Sequence, residues 1–135
     1  MTAAASAGPR AGGSGGMADE VSVVYITVPS KDVGRNIASE LLNARLVACV
    51  NMIPAVESMY RWEGEVQTDE ELLLMAKTRS ALVNDIAKRV TDLHPYDLPE
   101  VIAAPIAGGL QGYLDWVVSS TKPMSAPSGG PTKEA

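Results

Sequence analysis

Residues 46–78 form the longest β-rich segment of the chain, and this segment turns back on itself once. Its first half is rich in β-branched and aromatic residues, and its second half returns through an apolar run that ends near Thr78. The two halves meet at residues 62–65, Trp-Glu-Gly-Glu. Each arm covers about 14 residues, whereas ordinary strands have about 5–6. At about 3.3 Å per residue an arm is about 45 Å long, so we expect a β-hairpin that extends beyond its own domain.

Three segments show the three- and four-residue spacing of apolar side chains that is typical of amphipathic helices. Ser30 is predicted to cap the first helix, which ends near Ala44. Ser80 is predicted to cap the second helix. That helix ends before Pro95, because a residue that precedes proline is pushed out of the helical region. A short third helix is predicted over residues 110–120.

Two further β-branched runs, residues 21–28 and 100–106, predict the remaining strands. The order β-α-β-β-α-β, with right-handed crossovers, gives a four-stranded antiparallel sheet with both main helices on one face. The fold class is therefore α/β (α+β), a ferredoxin-like plait with a long central hairpin and a C-terminal helix. This domain is predicted over residues 20–122. The Ala-, Gly-, Ser- and Pro-rich segments 1–19 and 123–135 are predicted to be disordered.

The predicted hairpin is too long for the predicted helices to cover. Helices of this size span about 20 Å, whereas each hairpin arm spans about 45 Å. An exposed strand pair rich in Val, Ile, Met, Tyr and Trp aggregates unless another chain covers it. The sequence therefore predicts an obligate homo-oligomer that assembles through the hairpin. Pro54 lies within the first arm and predicts a bulge or bend there, since proline donates no backbone hydrogen bond.

Composition and charge narrow the classes of function. The 135-residue chain has a net charge of −5, which argues against a nucleic-acid partner. No apolar run reaches the roughly 20 residues of a membrane span. A single cysteine excludes an intrachain disulfide and favours a reducing compartment. We expect the cytoplasm, or a chloroplast or mitochondrion if residues 1–19 belong to a transit peptide.

Three segments resemble the divalent-cation-tolerance, or CutA, family: ACVNMIPAVESMYRWEGEVQTDEELLLMAKT (48–78), HPYDLPEVIAAPI (94–106) and GGLQGYLDWV (108–117). The resemblance covers residues 21–122. It implies a ferredoxin-like fold, a tight homotrimer built through the long hairpins, binding of copper or another divalent metal ion, and a role in metal tolerance or homeostasis. Animal members are also linked to the anchoring or maturation of acetylcholinesterase. Neither an organic cofactor nor a particular protein partner is indicated.

The candidate metal ligands are few. Cys49 is the only soft ligand and His94 the only imidazole, and both groups suit copper and zinc. One cysteine and one histidine cannot fill a tetrahedral site, so a threefold assembly would have to supply further ligands. Structural roles stay open for both residues. Cys49 is also typical of a small buried apolar residue, and His94 of a group that caps the carboxyl end of a helix.

A second candidate site is a cleft between subunits, formed by residues near turns and segment ends. Its members are Tyr60, Arg61, Trp62, Lys77, Tyr96 and Glu100. Packing across a trimer interface is the alternative role for this set, because aromatic residues and arginine are enriched at interfaces. The acidic run 69–71, together with Glu63 and Glu65, is predicted to be a solvated face or a charge that protects the strand edge, and the alternative is a set of oxygen ligands for Mg or Ca.

The predicted domain, residues 20–122, contains no G-x-S-x-G, P-loop or G-x-G-x-x-G pattern, and the sequence predicts a protein that is not an enzyme. Our first hypothesis is a homotrimer that binds divalent metal ions. The alternative is a signalling or scaffold trimer, similar to the nitrogen-regulatory PII transducers, that binds a small anionic ligand or a partner protein at subunit clefts. An acylphosphatase-like enzyme ranks last, because residues 28–31 lack the arginine that its phosphate-binding loop needs.

Overall fold

The computed structural model describes residues 20–123. The predictions for residues 1–19 and for the tail beyond residue 123 lie outside this range. The elements are β1 (Val21–Val28), α1 (Lys31–Asn43), β2 (Cys49–Trp62), β3 (Glu65–Arg79), α2 (Val83–Leu93), β4 (Val101–Pro105) and α3 (Gln111–Ser120). The predicted order and the terminal helix are confirmed. No helix within the described range is long and apolar enough to cross a membrane.

The four strands form one antiparallel sheet in the order β2-β3-β1-β4. This is the strand order of the predicted ferredoxin-like plait. Strand β1 is paired on both edges, and its residues are buried except for Tyr25, which is half-buried. Strands β2 and β4 form the two edges of the sheet, so the long strand β2 is hydrogen-bonded along one side only.

The main hydrophobic core lies between the sheet and the two central helices. Alternate residues of a strand point to opposite faces, so Val24 and Ile26 on β1 and their neighbours on β3 share the face that α1 and α2 cover. The helices contribute the buried residues Ile37, Leu41, Ile86 and Val90. The opposite face of the sheet, termed the second face, carries the alternate set that includes Tyr25 and Thr27.

The two helix-capping predictions had different outcomes. The Ser30 hydroxyl accepts a hydrogen bond from the Val33 amide at 3.2 Å, so the cap on α1 is confirmed. The prediction for Ser80 was wrong, because a short 3-10 turn (Ser80–Leu82) precedes α2. Neither this turn nor α2 has a hydrogen bond from a capping side chain. The Ser80 hydroxyl instead lies 2.5 Å from the Ser22 hydroxyl. Strand β3 runs on to Arg79, and this keeps the adjacent Ser80 at the sheet.

The predicted long hairpin is present, with 14 residues in β2 and 15 in β3. The two-residue turn between the arms is Glu63-Gly64, and both residues have positive φ angles, 51° and 83°. Successive positive φ angles are typical of the type I′ turn, whose twist matches that of the flanking strands. The turn therefore fixes the register of both arms.

A β-bulge interrupts β2 at the predicted position. Pro54 and Ala55 together face a single residue of β3, Leu72, and Ala55 has a φ angle of 63°. The pairs that flank the bulge are Ile53 with Leu73 and Val56 with Glu71. The bulge is where a proline can lie within a strand, because one residue there leaves the hydrogen-bonded ladder.

Helix α3 packs on the second face, at the end where β1 begins and β3 ends. Val117 is fully buried there. Arg79 at the end of β3 donates hydrogen bonds to the carbonyl oxygen of Val118 at 3.0 Å and to the hydroxyl of Thr121 at 3.1 Å. The rest of the second face stays open, with Ile53 and Ile102 exposed at 40% and 57% of their surface.

Gly34 provides a test of how closely α1 approaches the sheet. A Cβ atom at Gly34 would lie 3.0 Å from the Met52 sulfur and 3.1 Å from the Val28 Cγ2, whereas nothing lies within 4 Å of one at Gly112 on α3. We expect Gly34→Leu to lower the free energy of unfolding by about 1–3 kcal/mol through overpacking. Gly112→Leu should not lower it, since leucine forms helix better than glycine. Denaturant titrations at one protein concentration measure both, and equal effects would contradict the close approach.

Candidate functional site

A cavity of about 590 Å³ lies on the second face of the sheet. Three parts of the chain surround it: the outer half of the hairpin, the end of β1, and the α2–β4 connection (residues 94–100). Its volume is in the range of small-molecule sites, about 300–1,000 Å³. Besides aromatic and acidic side chains, its wall includes Thr27, Ser58, Met59 and Leu98.

The hairpin wall of the cavity depends on the strand register beyond the bulge. Ser58 pairs with Asp69, and the next outward pair on the same face is Tyr60 with Gln67. The Tyr60 hydroxyl donates a hydrogen bond to Asp69 Oδ2. This bond, together with partial desolvation and the nearby negative charges, raises the pKa of Tyr60 above its ordinary value. The hydroxyl proton of Tyr60 is therefore held towards the Asp69 carboxylate.

His94 attaches the opposite wall of the cavity to the sheet. Its Nε2 lies 2.8 Å from the carbonyl oxygen of Thr27 on β1. Its Nδ1 accepts a hydrogen bond from the backbone amide of Tyr96 at 3.1 Å, so the donor to Thr27 is Nε2–H. The His94 and Tyr96 rings also contact each other, with centroids 4.7 Å apart. These contacts position the connection over the end of β1.

The Tyr96 hydroxyl donates a hydrogen bond to Glu71 Oε2 at 3.0 Å and so joins the two walls. Burial, this bond and the charge of Glu71 raise the pKa of Tyr96 to about 12. Only 6% of Glu71 is exposed. Within residues 20–123, Glu71 Oε1 has no hydrogen-bond partner, and no Lys or Arg lines the cavity.

The structure brings together four members of the candidate cleft and separates the other two. Tyr60, Trp62, Tyr96 and Glu100 all line the cavity. Arg61 and Lys77 are not part of its wall, and the Lys77 ammonium group contacts the side-chain oxygen of Asn51. That the cavity adjoins a second subunit stays a prediction.

The prediction of a solvated acidic face was wrong for Glu71, because the α2–β4 connection covers it. Asp69 also lies in the cavity wall, and so do Asp97 and Glu100. The two-residue period of a strand was the signal that could have found part of this set, since Asp69 and Glu71 share a face with Ser58, whereas Glu70 points away.

Cys49 lies on the second face near the opposite end of the sheet. It is half-buried, with no disulfide partner, and it pairs with Lys77 of β3 in the strand register. Helix α3 packs beside it. Burial and a hydrogen bond with Cys49 raise the pKa of Tyr113 on that helix. The thiol therefore lies in a partly covered position between the sheet and α3.

Cys49 and His94 do not approach each other within one chain. In the sheet register Cys49 lies level with Val23 of β1. His94 is hydrogen-bonded to Thr27, which is four residues, or roughly 13 Å, further along β1 than Val23. Both ring nitrogens of His94 are engaged in hydrogen bonds. Across residues 20–123 no group of three or more His, Cys, Asp or Glu side chains could hold a metal ion. The described part of a single chain therefore does not form a metal site, and the metal role of these residues stays a prediction.

The link between Tyr96 and Glu71 predicts a loss of stability at alkaline pH. The pKa of Tyr96 is raised from 10.0 to about 12, so its contribution is complete below pH 10 and is lost as the pH rises towards 12. Tyr96→Phe should cost about 1–3 kcal/mol near pH 8, because the nearly buried Glu71 carboxylate loses the hydrogen bond from the Tyr96 hydroxyl. It should also flatten the alkaline decline. Denaturant titrations across this pH range test this, and parallel curves for variant and wild type would contradict it.

Known proteins with similar sequences indicate the family of this chain. A family model described as CutA1 divalent ion tolerance protein matches residues 22–120. The Divalent-cation tolerance protein CutA of Thermus thermophilus is 52% identical over 99 residues, which cover 73% of this chain and 96% of that protein. Protein CutA, chloroplastic, of Arabidopsis thaliana is 48% identical over 100 residues, 74% of this chain and 55% of the relative. The chain thus spans about half the length of the plant relatives it matches.

Solved structures give the same result. The divalent cation tolerance protein (Cut A1) of Thermus thermophilus has a TM-score of 0.74 at 50% identity, and the match covers 76% of this chain and 99% of that one. The Oryza sativa CutA1 crystal structure has a TM-score of 0.74 at 48% identity, with coverages of 76% and 94%. With a family match over nearly all the described residues and relatives this similar, the chain belongs to the CutA1 divalent ion tolerance family.

Proposed function

We propose that this protein acts in divalent-metal tolerance or homeostasis as a non-catalytic homotrimer that binds copper or another divalent metal ion. The observation that carries this proposal is the family match over residues 22–120, since that family model and a relative that is 52% identical are named for divalent-ion or divalent-cation tolerance. The number of three subunits comes from the family resemblance. The exposed apolar surface of the described chain supports self-association.

That exposed surface is concentrated on the hairpin and the open second face. Met59, Trp62 and Val66, near the hairpin turn, expose 68%, 50% and 59% of their surface. The outer edge of β2 adds a row of backbone groups without sheet partners in the described chain. An apolar edge strand of this length favours pairing with another chain. A second copy would cover the part of the hairpin that the helices do not reach.

Cys49 is the principal metal ligand in this proposal. Its thiol lies on the second face, where other copies would pack, and soft thiolate ligands suit Cu(I) and zinc. Further ligands would come from neighbouring subunits. His94 would have to release the Thr27 carbonyl or the Tyr96 amide before it could bind a metal ion, so we place it second.

The alternative of a PII-like trimer that binds a small anionic ligand has less support. The cavity that collects most of the candidate cleft residues is lined by four carboxylates, and its described wall contains no Lys or Arg. Such a wall repels phosphates and carboxylates. A scaffold role with a protein partner is compatible with the exposed hairpin but has no separate observation in its favour.

For the cellular location we propose the cytoplasm, as expected for a chain with one cysteine. Two plant relatives carry the word chloroplastic in their names, so an organelle is the alternative. Imaging of the full chain with a C-terminal fluorescent tag separates the two.

Shortening the hairpin tests the proposed assembly. Removal of Arg61–Trp62 and Glu65–Val66 deletes two opposed pairs and keeps the Glu63-Gly64 turn on a pair of the same hydrogen-bonding type. We expect aggregates or monomers of lower stability, because the surface that joins the subunits is lost. Sedimentation velocity and thermal unfolding measure this. A soluble monomer as stable as the wild-type protein would refute assembly through the hairpin.

Replacement of the thiol tests the proposed metal ligand. Cys49→Ser is expected to lower the stoichiometry or the affinity for copper while the trimer stays intact, because a hydroxyl is a much poorer ligand for a soft ion. Anaerobic titration with Cu(I) against a competing chelator, and with Zn(II), gives both quantities. A trimeric variant with unchanged copper stoichiometry and affinity would exclude Cys49. Family membership would stand in either case.

A further inference from the structure

The cavity on the second face combines aromatic side chains with carboxylates. The chain has only two Trp and four Tyr residues, and three of these six, Tyr60, Trp62 and Tyr96, line the cavity. Four carboxylates line it as well: Asp69, Glu71, Asp97 and Glu100. The same wall, as far as residues 20–123 form it, contains no Lys or Arg. The cavity is therefore aromatic and strongly negative.

The carboxylate of Glu71 lies beside the cavity without a cation from residues 20–123. A carboxylate this deeply buried is costly unless a cation or several hydrogen-bond donors compensate for its desolvation, and Glu71 is only 6% exposed. The one hydrogen bond that its carboxylate makes within residues 20–123 comes from the Tyr96 hydroxyl to Oε2. Its Oε1 is thus left without a donor beside the cavity.

A bare metal ion does not fit this cavity. Hard cations such as Ca²⁺ require about 6–8 oxygen ligands at about 2.3–2.6 Å around one point. The carboxylates of the cavity are spread around a volume of about 590 Å³, and residues 20–123 contain no group of three or more such side chains placed to hold a metal. The aromatic rings in the same wall provide no ligand atoms for a hard ion, and the two tyrosine hydroxyl groups already donate to Asp69 and Glu71. The shape fits a cation of several atoms.

The two tyrosine hydroxyl groups of the cavity are not free to donate to a ligand. Tyr60 donates to Asp69 and Tyr96 donates to Glu71, so both phenol protons are already used. What these residues offer to a ligand is carboxylate oxygens and aromatic rings. Both attract cations, and the rings attract an alkylated ammonium group most effectively because it is weakly hydrated.

We propose that this cavity binds a small organic cation through an alkylammonium group, which lies against Tyr60, Trp62 and Tyr96 and compensates the charge of Glu71. The site is separate from Cys49, which lies towards the other end of the sheet. A quaternary ammonium compound and a polyamine share this chemistry. They differ in whether the nitrogen also donates hydrogen bonds to the carboxylates.

Isothermal titration of the full-length protein tests the proposal with three compounds. Choline represents quaternary ammonium compounds and spermidine represents polyamines, while 3,3-dimethylbutan-1-ol has the shape of choline without its charge. We expect choline, spermidine or both to bind, more weakly as salt is raised, and the neutral alcohol not to bind. Tighter binding of choline identifies a quaternary ligand, and tighter binding of spermidine a polyamine.

Two glutamate variants locate the binding to the cavity. Glu71→Gln keeps the size of the side chain and an acceptor for Tyr96 but removes the charge. We expect the affinity for choline and for spermidine to fall about tenfold. Glu70→Gln removes the same charge from the adjacent position of β3, which faces away from the cavity, and should change affinity little. Trp62→Leu should weaken choline more than it weakens spermidine, since choline has no N–H group to bond to the carboxylates.

Three results would overturn the proposal. The first is no binding of either cation at millimolar concentration, as expected if a Lys or Arg of another copy fills the cavity. The second is equal binding of choline and its neutral analogue. The third is equal loss of affinity in Glu70→Gln and Glu71→Gln, which would indicate a general effect of net charge. Circular dichroism and the oligomeric state of each variant confirm that the comparison is between folded proteins.

Discussion

The architecture depends on the difference in rise between a β-strand and an α-helix. Strand β3 has 15 residues and α1 has 13, yet at about 3.3 and 1.5 Å per residue the strand is more than twice as long as the helix. The helices therefore cover only the inner half of the hairpin. The outer half has no helix beneath it. It becomes both the exposed apolar surface and one wall of the cavity.

The inner half of the hairpin, in contrast, is part of an ordinary core. Leu74 and Ala76 on β3 are fully buried under the helices, whereas Met59 and Val66 near the turn are more than half exposed. Folding of one chain can account for the first pair but leaves the second pair in water. One continuous element is thus part of the core near its base and exposes apolar surface near its tip. Glu71 lies where the two regions meet, close to the bulge.

Most of the fold could be predicted from the sequence because local patterns determine it. The β-branched runs, the Ser30 cap and Pro54 each specify a structure through short-range sterics or hydrogen bonds, and each prediction is confirmed. Ser80 was mispredicted because a partner 58 positions away, Ser22, engages its hydroxyl. A local pattern does not contain that contact.

The cavity could be predicted only in part, for the same reason. The aromatic residues near turns are visible in the sequence as scarce residue types, and Tyr60, Trp62 and Tyr96 were among the candidates. The burial of Glu71 is not visible, because it depends on how His94 attaches the α2–β4 connection to β1. An isolated acidic run is usually solvated, and only tertiary contacts reverse that expectation here.

The bulge at Pro54 and Ala55 also acts as a change of phase within β2. Before it, the odd-numbered residues Cys49 and Asn51 point to the second face; after it, the even-numbered Ser58 and Tyr60 do. The extra residue is absorbed at the bulge, so loss of one residue there would leave every outer pair opposite its present partner. Loss of one residue between the bulge and the turn would instead displace the pairing and turn side chains to the other face. A change of one residue in the length of β2 therefore preserves the cavity wall if it occurs at the bulge. The same change in the outer arm disrupts the wall.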